Sequence, residues 1–445
     1  MRYLFKPILL ASLAAVVVGM ACQLPNSNTG NQPNANTPVA QATPVQTPDQ
    51  PVQTSDTIFT LPMLDALLAD ESFVNDAKRS IPMTDDEVER LRDLSRKAVG
   101  DLSDKDTDES RSSRAANEQA RTKIGAVLGN DRTQKLIALA QQHAGNTDAG
   151  TANKPGTVPT DTRVVVNAPE YRMDVFKDGK LIKSYKIGIG YPEFPLPSGI
   201  RKASTIIFNP TWTPPDEPWV KGKVKAGEKV EAGDKLNPLG PIKIPIGLPS
   251  LIHGGKSPAR LGTFASHGCV GLTNGQVQDF AMVLSGLAGE AISQDQIKSY
   301  EKAKTDTKEV KLREPVPVEL RYETIVVENG TLKIFRDVYE KGTNTEENLA
   351  KVLNAYGLSL DSLDPQIKDK ILDALKQMAT DAQGHPADPS SNNTASSNSN
   401  SRSKASPNSN SGAVTRTIKG KKEIDIPIPQ LAGKGYPAPV SMKLQ

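Results

Sequence analysis

A chain of 445 residues has room for about three folded units at roughly 150 residues each, yet only 37% of it is hydrophobic and 4% aromatic. With 33 Gly and 34 Pro besides, much of the length reads as linker rather than core. The 54 Lys+Arg nearly balance the 51 Asp+Glu, which gives no case for nucleic acid or a polybasic membrane patch, and two cysteines exclude a disulfide scaffold or a C-x-x-C zinc motif.

The chain opens on Arg2 and Lys6, followed by an apolar run from Ile8 to Met20 broken only by Ser12. As a helix this run would span ~20 Å at ~1.5 Å per residue, short of a ~30 Å hydrocarbon core, so residues 1–22 read as an export signal. Gly19-Met20-Ala21-Cys22 resembles a bacterial lipobox, although Gly19 stands where that motif usually carries Leu. The resemblance implies lipidation of Cys22 and an exported, membrane-anchored protein facing the cell wall or periplasm. An ordinary signal peptide cleaved near Ala21 is the alternative. Residues 23–56 contain six Pro, six Gln, five Asn and five Thr, a composition that cannot order itself and predicts a disordered tether.

Residues 57–143 read as helical, with no chemistry of their own. Leu64, Leu67 and Leu68 open one periodic run, Thr84-Asp85-Asp86-Glu87 forms a capping box ahead of Val88, Leu91 and Leu94, and a last helix covers about Asp131 to Gln142. The charged stretch from Asp101 to Arg114 reads as a solvated loop. After a linker at 144–162, the pattern changes to period two. Arg163 to Asn167, Arg172 to Phe176 and Leu181 to Ile189 are expected strands, with Asp178-Gly179 turning a hairpin. Further strands are expected near Ile242 to Ile246 and Ser250 to His253, and a helix from Gly275 to Ser285 capped by Asn274. A domain at 163–293, a β extension at 294–345, a helical segment at 346–383, a disordered linker at 384–412 and a tail at 413–445 complete the expectation.

The chemistry concentrates in Ile252-His253-Gly254 and Ser266-His267-Gly268-Cys269-Val270-Gly271-Leu272. An imidazole within reach of a thiol can take its proton and stabilise the thiolate. His267 and Cys269 share a face on an extended segment, His253 comes from an adjacent strand end, and Gly262 and Gly268 let backbone approach a substrate. Three readings follow from these residues: a buried structural cysteine, a zinc site of His253, His267 and Cys269, or a cysteine acyltransferase. Spacing alone does not separate the last two.

The order of these motifs resembles the catalytic domain of the L,D-transpeptidases, also called YkuD-like, which carry a histidine and then Ser/Thr-His-Gly-Cys. Tyr171 to Lys180 is similar to that family's opening hairpin. Asn209-Pro210-Thr211-Trp212 with Pro214-Pro215, and Asn237-Pro238-Leu239-Gly240-Pro241, are similar to its mid-domain landmarks. The resemblance implies a β-rich domain, a mixed β-sandwich with a short helix after the catalytic loop, flanked by a helical N-terminal region and disordered linkers. It implies Cys269 as nucleophile, His253 as general acid/base, His267 as support and backbone N–H groups at Gly268 and Cys269 as oxyanion donors. Ser266, Gly254 and Trp212 would contact substrate. Peptidoglycan stem peptides would be the partners, with no metal or other cofactor. Two departures stand out: Gly271 replaces the usual Arg or Asn, so its polar contact is absent or supplied elsewhere, and Gly254 replaces a side chain often found after the first histidine. Trp212 and Trp219 either wall the substrate or pack a Pro-rich loop. A hydrolase of the same fold and a wall-binding module without turnover are the alternative functions.

Overall fold

The structure, a computed structural model, describes residues 58–100, 102–103, 112–143, 156–213, 229–248, 250–304, 306–385, 412–413 and 418–442. The expected signal, Cys22 and the tether lie outside these residues, as do Trp219 and most of the expected 384–412 linker.

Apolar periodicity and good caps make the helical region. Its helices are α1 (Leu61–Leu68), α2 (Glu71–Ser80), α3 (Asp85–Gly100), α4 (Ser113–Leu128) and α5 (Asn130–His143), with a two-residue strand β1 (Leu102–Ser103) after α3. The capping box at α3 forms as expected: Thr84 N donates to Glu87 Oε2 at 3.0 Å and Glu87 N to Thr84 Oγ1 at 3.2 Å. Leu64, Leu67, Phe73, Leu91, Ile124 and Leu136 fill the core between the helices. Helices α2 and α4 were not singled out by sequence reading, and α4 is the harder of the two to see. Its buried stripe of Ala120, Ile124 and Leu128 is weakly apolar, and it begins inside the charged stretch assigned to a loop. His143 Nε2 meets Asp70 Oδ2 at 3.3 Å and tethers the end of α5 to the start of α2.

The next segment supplies β2 (Arg163–Asn167), β3 (Arg172–Lys177), β4 (Lys180–Lys186), β5 (Ile189–Gly190), β6 (Gly199–Phe208), β7 (Ile242–Pro245), β8 (Leu251–His253), β9 (Phe264–Ser266) and β10 (Val270–Gly271). Helices α6 (Asn274–Leu287) and α7 (Gln294–Lys302) precede the long strand β11 (Lys308–Arg321). The main sheet has eight strands in the order β10-β8-β7-β6-β11-β2-β3-β4, and β5 pairs with β9 beside it. Asp178 and Gly179, with φ of 49° and 75°, turn the expected hairpin in the left-handed conformations that a two-residue loop needs. Val166, Met173, Phe208, Ile252, Val270 and Val318 bury one face of the sheet against Val277, Phe280 and Leu284 of α6.

Three expectations need correction. Strand β11 lies between β6 and β2, so the sheet continues well past 293 and has one of its inner strands in the supposed extension. A β extension was expected here, but the charged residues and prolines of β11 do not show that it is an inner strand of the main sheet. Helix α6 is capped by Thr273, whose hydroxyl accepts from Gln276 N while Gln276 returns a bond to Thr273 N; Asn274 is already the first helical residue. Its side chain is used across the site, accepting from Gly255 N at 2.8 Å. The helical segment expected at 346–383 is two helices, α8 (Glu346–Asn354) and α9 (Pro365–Met378). Gly357, with φ of 75°, ends the first run, and Asp364 caps a fresh start at Pro365.

The C-terminal tail is part of the fold. Strand β12 (Ile325–Glu328) pairs with β13 (Thr331–Phe335), β14 (Gly412–Ala413) pairs with β1, and β15 (Glu423–Pro427) adds to β13. Beyond β15, Val440 exchanges hydrogen bonds with Ser184 and so covers the exposed edge of β4. Arg172 anchors this strap. It is buried with Asp174 at 2.9 Å, Glu170 at 3.0 Å and Glu328, and donates to Pro437 O at 2.9 Å. The His385 side chain is exposed, with Nδ1 3.0 Å from Asp381 Oδ2.

Candidate active site

Strand pairing puts the site together. β8 and β10 run parallel with Ile252 beside Val270 and His253 beside Gly271. Ile252 and Val270 are fully buried in the core, so alternation turns His253, Cys269 and Gly271 to the opposite face of the pair. Two residues 16 positions apart in sequence thus share one face.

His253 is buried, and its Nδ1 lies 2.8 Å from Gly254 O. A carbonyl only accepts, so Nδ1 carries the hydrogen and Nε2 keeps its lone pair. Burial pushes His253 down to about 3, and the charge of Lys256 acts in the same direction, against the carbonyls of Gly254 and Leu239. The ring is therefore neutral at neutral pH, the form a base requires.

Gly254 sits where no side chain fits. A Cβ there would sit 2.8 Å from Val277 Cγ1, 3.1 Å from Asn274 Oδ1 and 3.2 Å from Pro241 Cδ. Gly254→Ala should therefore destabilise the domain by about 1–3 kcal/mol, as overpacking does, and shift the carbonyl that orients His253. A lowered urea midpoint accompanied by slower turnover checks this; an unchanged midpoint contradicts it.

Cys269 is half-buried, next to Gly268, whose φ of 90° is open to glycine. Ser266 is buried and holds this turn from inside: its Oγ accepts from Cys269 N at 3.0 Å and donates to Cys269 O at 2.5 Å. Both of these bonds go to Cys269 backbone, which differs from the expected substrate contact. They also engage the Cys269 N–H that was expected to serve as an oxyanion donor, whereas among the described residues no acceptor takes the Gly268 N–H. Gly268 O in turn accepts from Ser250 Oγ at 2.8 Å.

Burial raises the Cys269 thiol above its ordinary range, while a backbone hydrogen bond from Leu251 and the charge of Lys256 pull it back down. A hydrogen bond that favours a thiolate comes from a donor, so the Leu251 group is its N–H.

His267 is fixed by rings. Its imidazole packs edge-on against Tyr191, with centroids 5.0 Å apart, and against Phe194 at 4.8 Å. That packing supports the loop and leaves the three-ligand zinc arrangement unassembled: among the described residues no group of three His, Cys, Asp or Glu could hold a metal ion. The ring support reaches the helical region, because Thr60 Oγ1 donates to Glu193 O at 2.9 Å and Ser113 Oγ to Pro192 O at 2.7 Å. Sequence reading missed this connection. Nothing local to Tyr191 or Phe194 marks them as partners of a residue 76 and 73 positions further on.

Trp212 is half-buried and exchanges backbone bonds with Val230, at 3.0 and 2.7 Å. These bonds give it a place in the strand-like start of a loop. Gly262 makes room for a protein side chain, since a Cβ there would meet Lys186 Cε at 2.4 Å. The space beside Gly271 is likewise filled, by Lys256, whose Cγ would lie 2.8 Å from a Cβ at 271.

Residues 161–306 match the family model described as YkuD, the L,D-transpeptidase catalytic domain. Solved structures similar to the chain include an Ldtfm-avibactam carbamoyl enzyme, at 18% identity over 36% of this chain and 49% of that one, with a TM-score of 0.23. The catalytic domain of the E. faecium L,D-transpeptidase is matched over its whole length, at 18% identity over 37% of this chain and a TM-score of 0.23. An L,D-transpeptidase from Mycobacterium smegmatis is 15% identical over 36% of this chain and 58% of that one, with a TM-score of 0.22. The chain thus spans about half the length of the first of these. No curated protein matches it.

Proposed function

We propose that the protein is a peptidoglycan L,D-transpeptidase whose nucleophile is Cys269 and whose general acid/base is His253. One observation carries this reading: a half-buried thiol and a neutral, carbonyl-oriented imidazole share a face of β8 and β10 inside the segment that matches the transpeptidase family model. His253 Nε2 takes the thiol proton as the sulfur attacks the carbonyl of the third residue of a donor stem peptide. The bond to the terminal D-alanine breaks, and His253 returns the proton to the departing amine. An acceptor amine then attacks the thioester, giving a crosslink and freeing the thiol. The oxyanion is held by the Gly268 N–H, joined by the Cys269 N–H once substrate draws it from Ser266 Oγ. His267, locked between Tyr191 and Phe194, keeps the loop in register.

Mass spectrometry of muropeptides after incubation with tetrapeptide stems tests the reaction. Dimers joined at their third residues are expected. Tripeptides alone would mean that water is the acceptor, and unchanged tetrapeptides would leave a wall-binding module.

The proposal extends to location: an exported protein held at a membrane through a lipid on Cys22, its catalytic domain reaching the wall on the 23–56 tether. Fully extended, those 34 residues reach ~110 Å at ~3.3 Å each. Cys22→Ser should move the protein to the soluble exported fraction. A wild-type protein already soluble, with an unmodified N-terminus, would contradict the anchor.

A further inference from the structure

Lys256 has no role in the mechanism above, yet its side chain lies inside the site. It follows the Gly254-Gly255 turn out of β8, and its backbone N–H bonds Leu272 O at 3.0 Å, which carries it across the end of β10. A Cβ on Gly271 would lie 2.8 Å from Lys256 Cγ, 3.3 Å from Cδ and 2.9 Å from Cε. Three successive carbons at such distances mean that the stem runs lengthwise over Gly271. That is the face shared with Cys269, about 6.6 Å away along the strand at ~3.3 Å per residue, and with His253, the strand neighbour of Gly271.

We propose that Lys256 is a positioning residue of this site, its ammonium laid over Gly271 so as to stabilise Cys269 as thiolate and keep His253 uncharged. The proposal rests on Cys269 being the nucleophile. A cation on that face acts on the two groups in opposite senses, favouring the anion and opposing a second positive charge. Among the described residues its charge bears on both Cys269 and His253. The other charged groups nearby have partners of their own: Lys243 of β7, the cross-strand neighbour of His253, interacts with Glu309 of β11, Lys186 and Lys422 converge on Gly262, Arg260 donates to Tyr191 Oη at 3.3 Å, and Asp279 of α6 is taken by Tyr185 and Lys183. His267 faces the site from the catalytic loop with its ring held by Tyr191 and Phe194. Gly271 completes the device, because any side chain there would lift the stem from the strand.

The test is the rate of iodoacetamide alkylation of Cys269 against pH in the full chain. Lys256→Met keeps the apolar stem and removes the charge. It should slow alkylation at pH 7.5 by about three- to tenfold, a rise of roughly half to one pH unit in the midpoint. Lys256→Arg should keep the wild-type profile, and 1 M salt should narrow the gap between wild type and Lys256→Met by screening. Gly271→Ala, which displaces the stem and leaves the charge in the protein, should shift the profile the same way and serves if Lys256→Met does not fold. A wild-type profile in a folded Lys256→Met or Gly271→Ala protein overturns the role of Lys256 and leaves Cys269 as nucleophile. A wild-type Cys269 inert at every pH overturns both.

Discussion

Cys269→Ser should lower acyl transfer by on the order of 10³-fold or more while leaving the fold intact. A hydroxyl in this half-buried position stays protonated at any pH the protein survives, and a neutral imidazole next to it is too weak a base to compensate. The turn itself is held by Ser266 through the backbone N–H and carbonyl of residue 269, so exchanging sulfur for oxygen leaves those bonds in place. Stability should change by less than about 1 kcal/mol. Initial rates of dimer formation beside urea unfolding curves measure both quantities. A Ser variant that still crosslinks at a tenth of the wild-type rate would remove Cys269 from the mechanism.

His253→Gln should cost about 10²- to 10⁴-fold in the same assay, the range for loss of a positioned general base. It should also change how stability responds to acid. Folded His253 is held down to about 3, whereas an unfolded chain binds that proton near the ordinary histidine value of about 6.5. The unfolded state therefore carries the extra proton between these values. Stability is fully present above about 6.5 and falls as pH drops towards 3, by at most about 1.4 kcal/mol per pH unit from this one group. The Gln variant should show a flatter dependence in urea unfolding at pH 7 and pH 4. Activity follows a different group. Burial holds the thiol above its usual range, so turnover should rise with pH on the alkaline side as Cys269 ionises.

The parts of the molecule that were legible in the sequence are those in which local chemistry and final structure agree. Asp178-Gly179 supplies the two positive φ angles that a tight hairpin needs, and Thr84 with Glu87 caps α3 through bonds three residues apart. The chemical motif was legible for the same reason, since Ser266 to Cys269 form one turn. What stayed hidden depends on partners far along the chain. Strand β11 reads as polar, yet it pairs on both sides, with β6 and β2. The tail follows a long polar stretch, and its place follows from Arg172, Glu328 and Ser184, each remote in sequence. Gly254 and Gly271 looked like missing side chains; the structure fills both spaces, with Val277 and Asn274 in one case and Lys256 in the other. An aligned count of residue types cannot show which neighbour occupies a gap.

The helical region gains a physical role from the same contacts. Thr60 and Ser113 hold the backbone at Pro192 and Glu193, and the adjoining Tyr191 and Phe194 hold His267, two residues before the thiol. The region thus braces the loop that carries Cys269.

The most direct measurement is the intact mass of the full chain after mixing with a tetrapeptide donor in the absence of an acceptor amine. The account predicts a one-to-one adduct equal to the donor less its terminal D-alanine, located at Cys269 by peptide mapping, lost on addition of an acceptor and absent from Cys269→Ala. An unmodified wild-type mass under conditions in which donor is consumed, or an adduct that persists in Cys269→Ala, would contradict it.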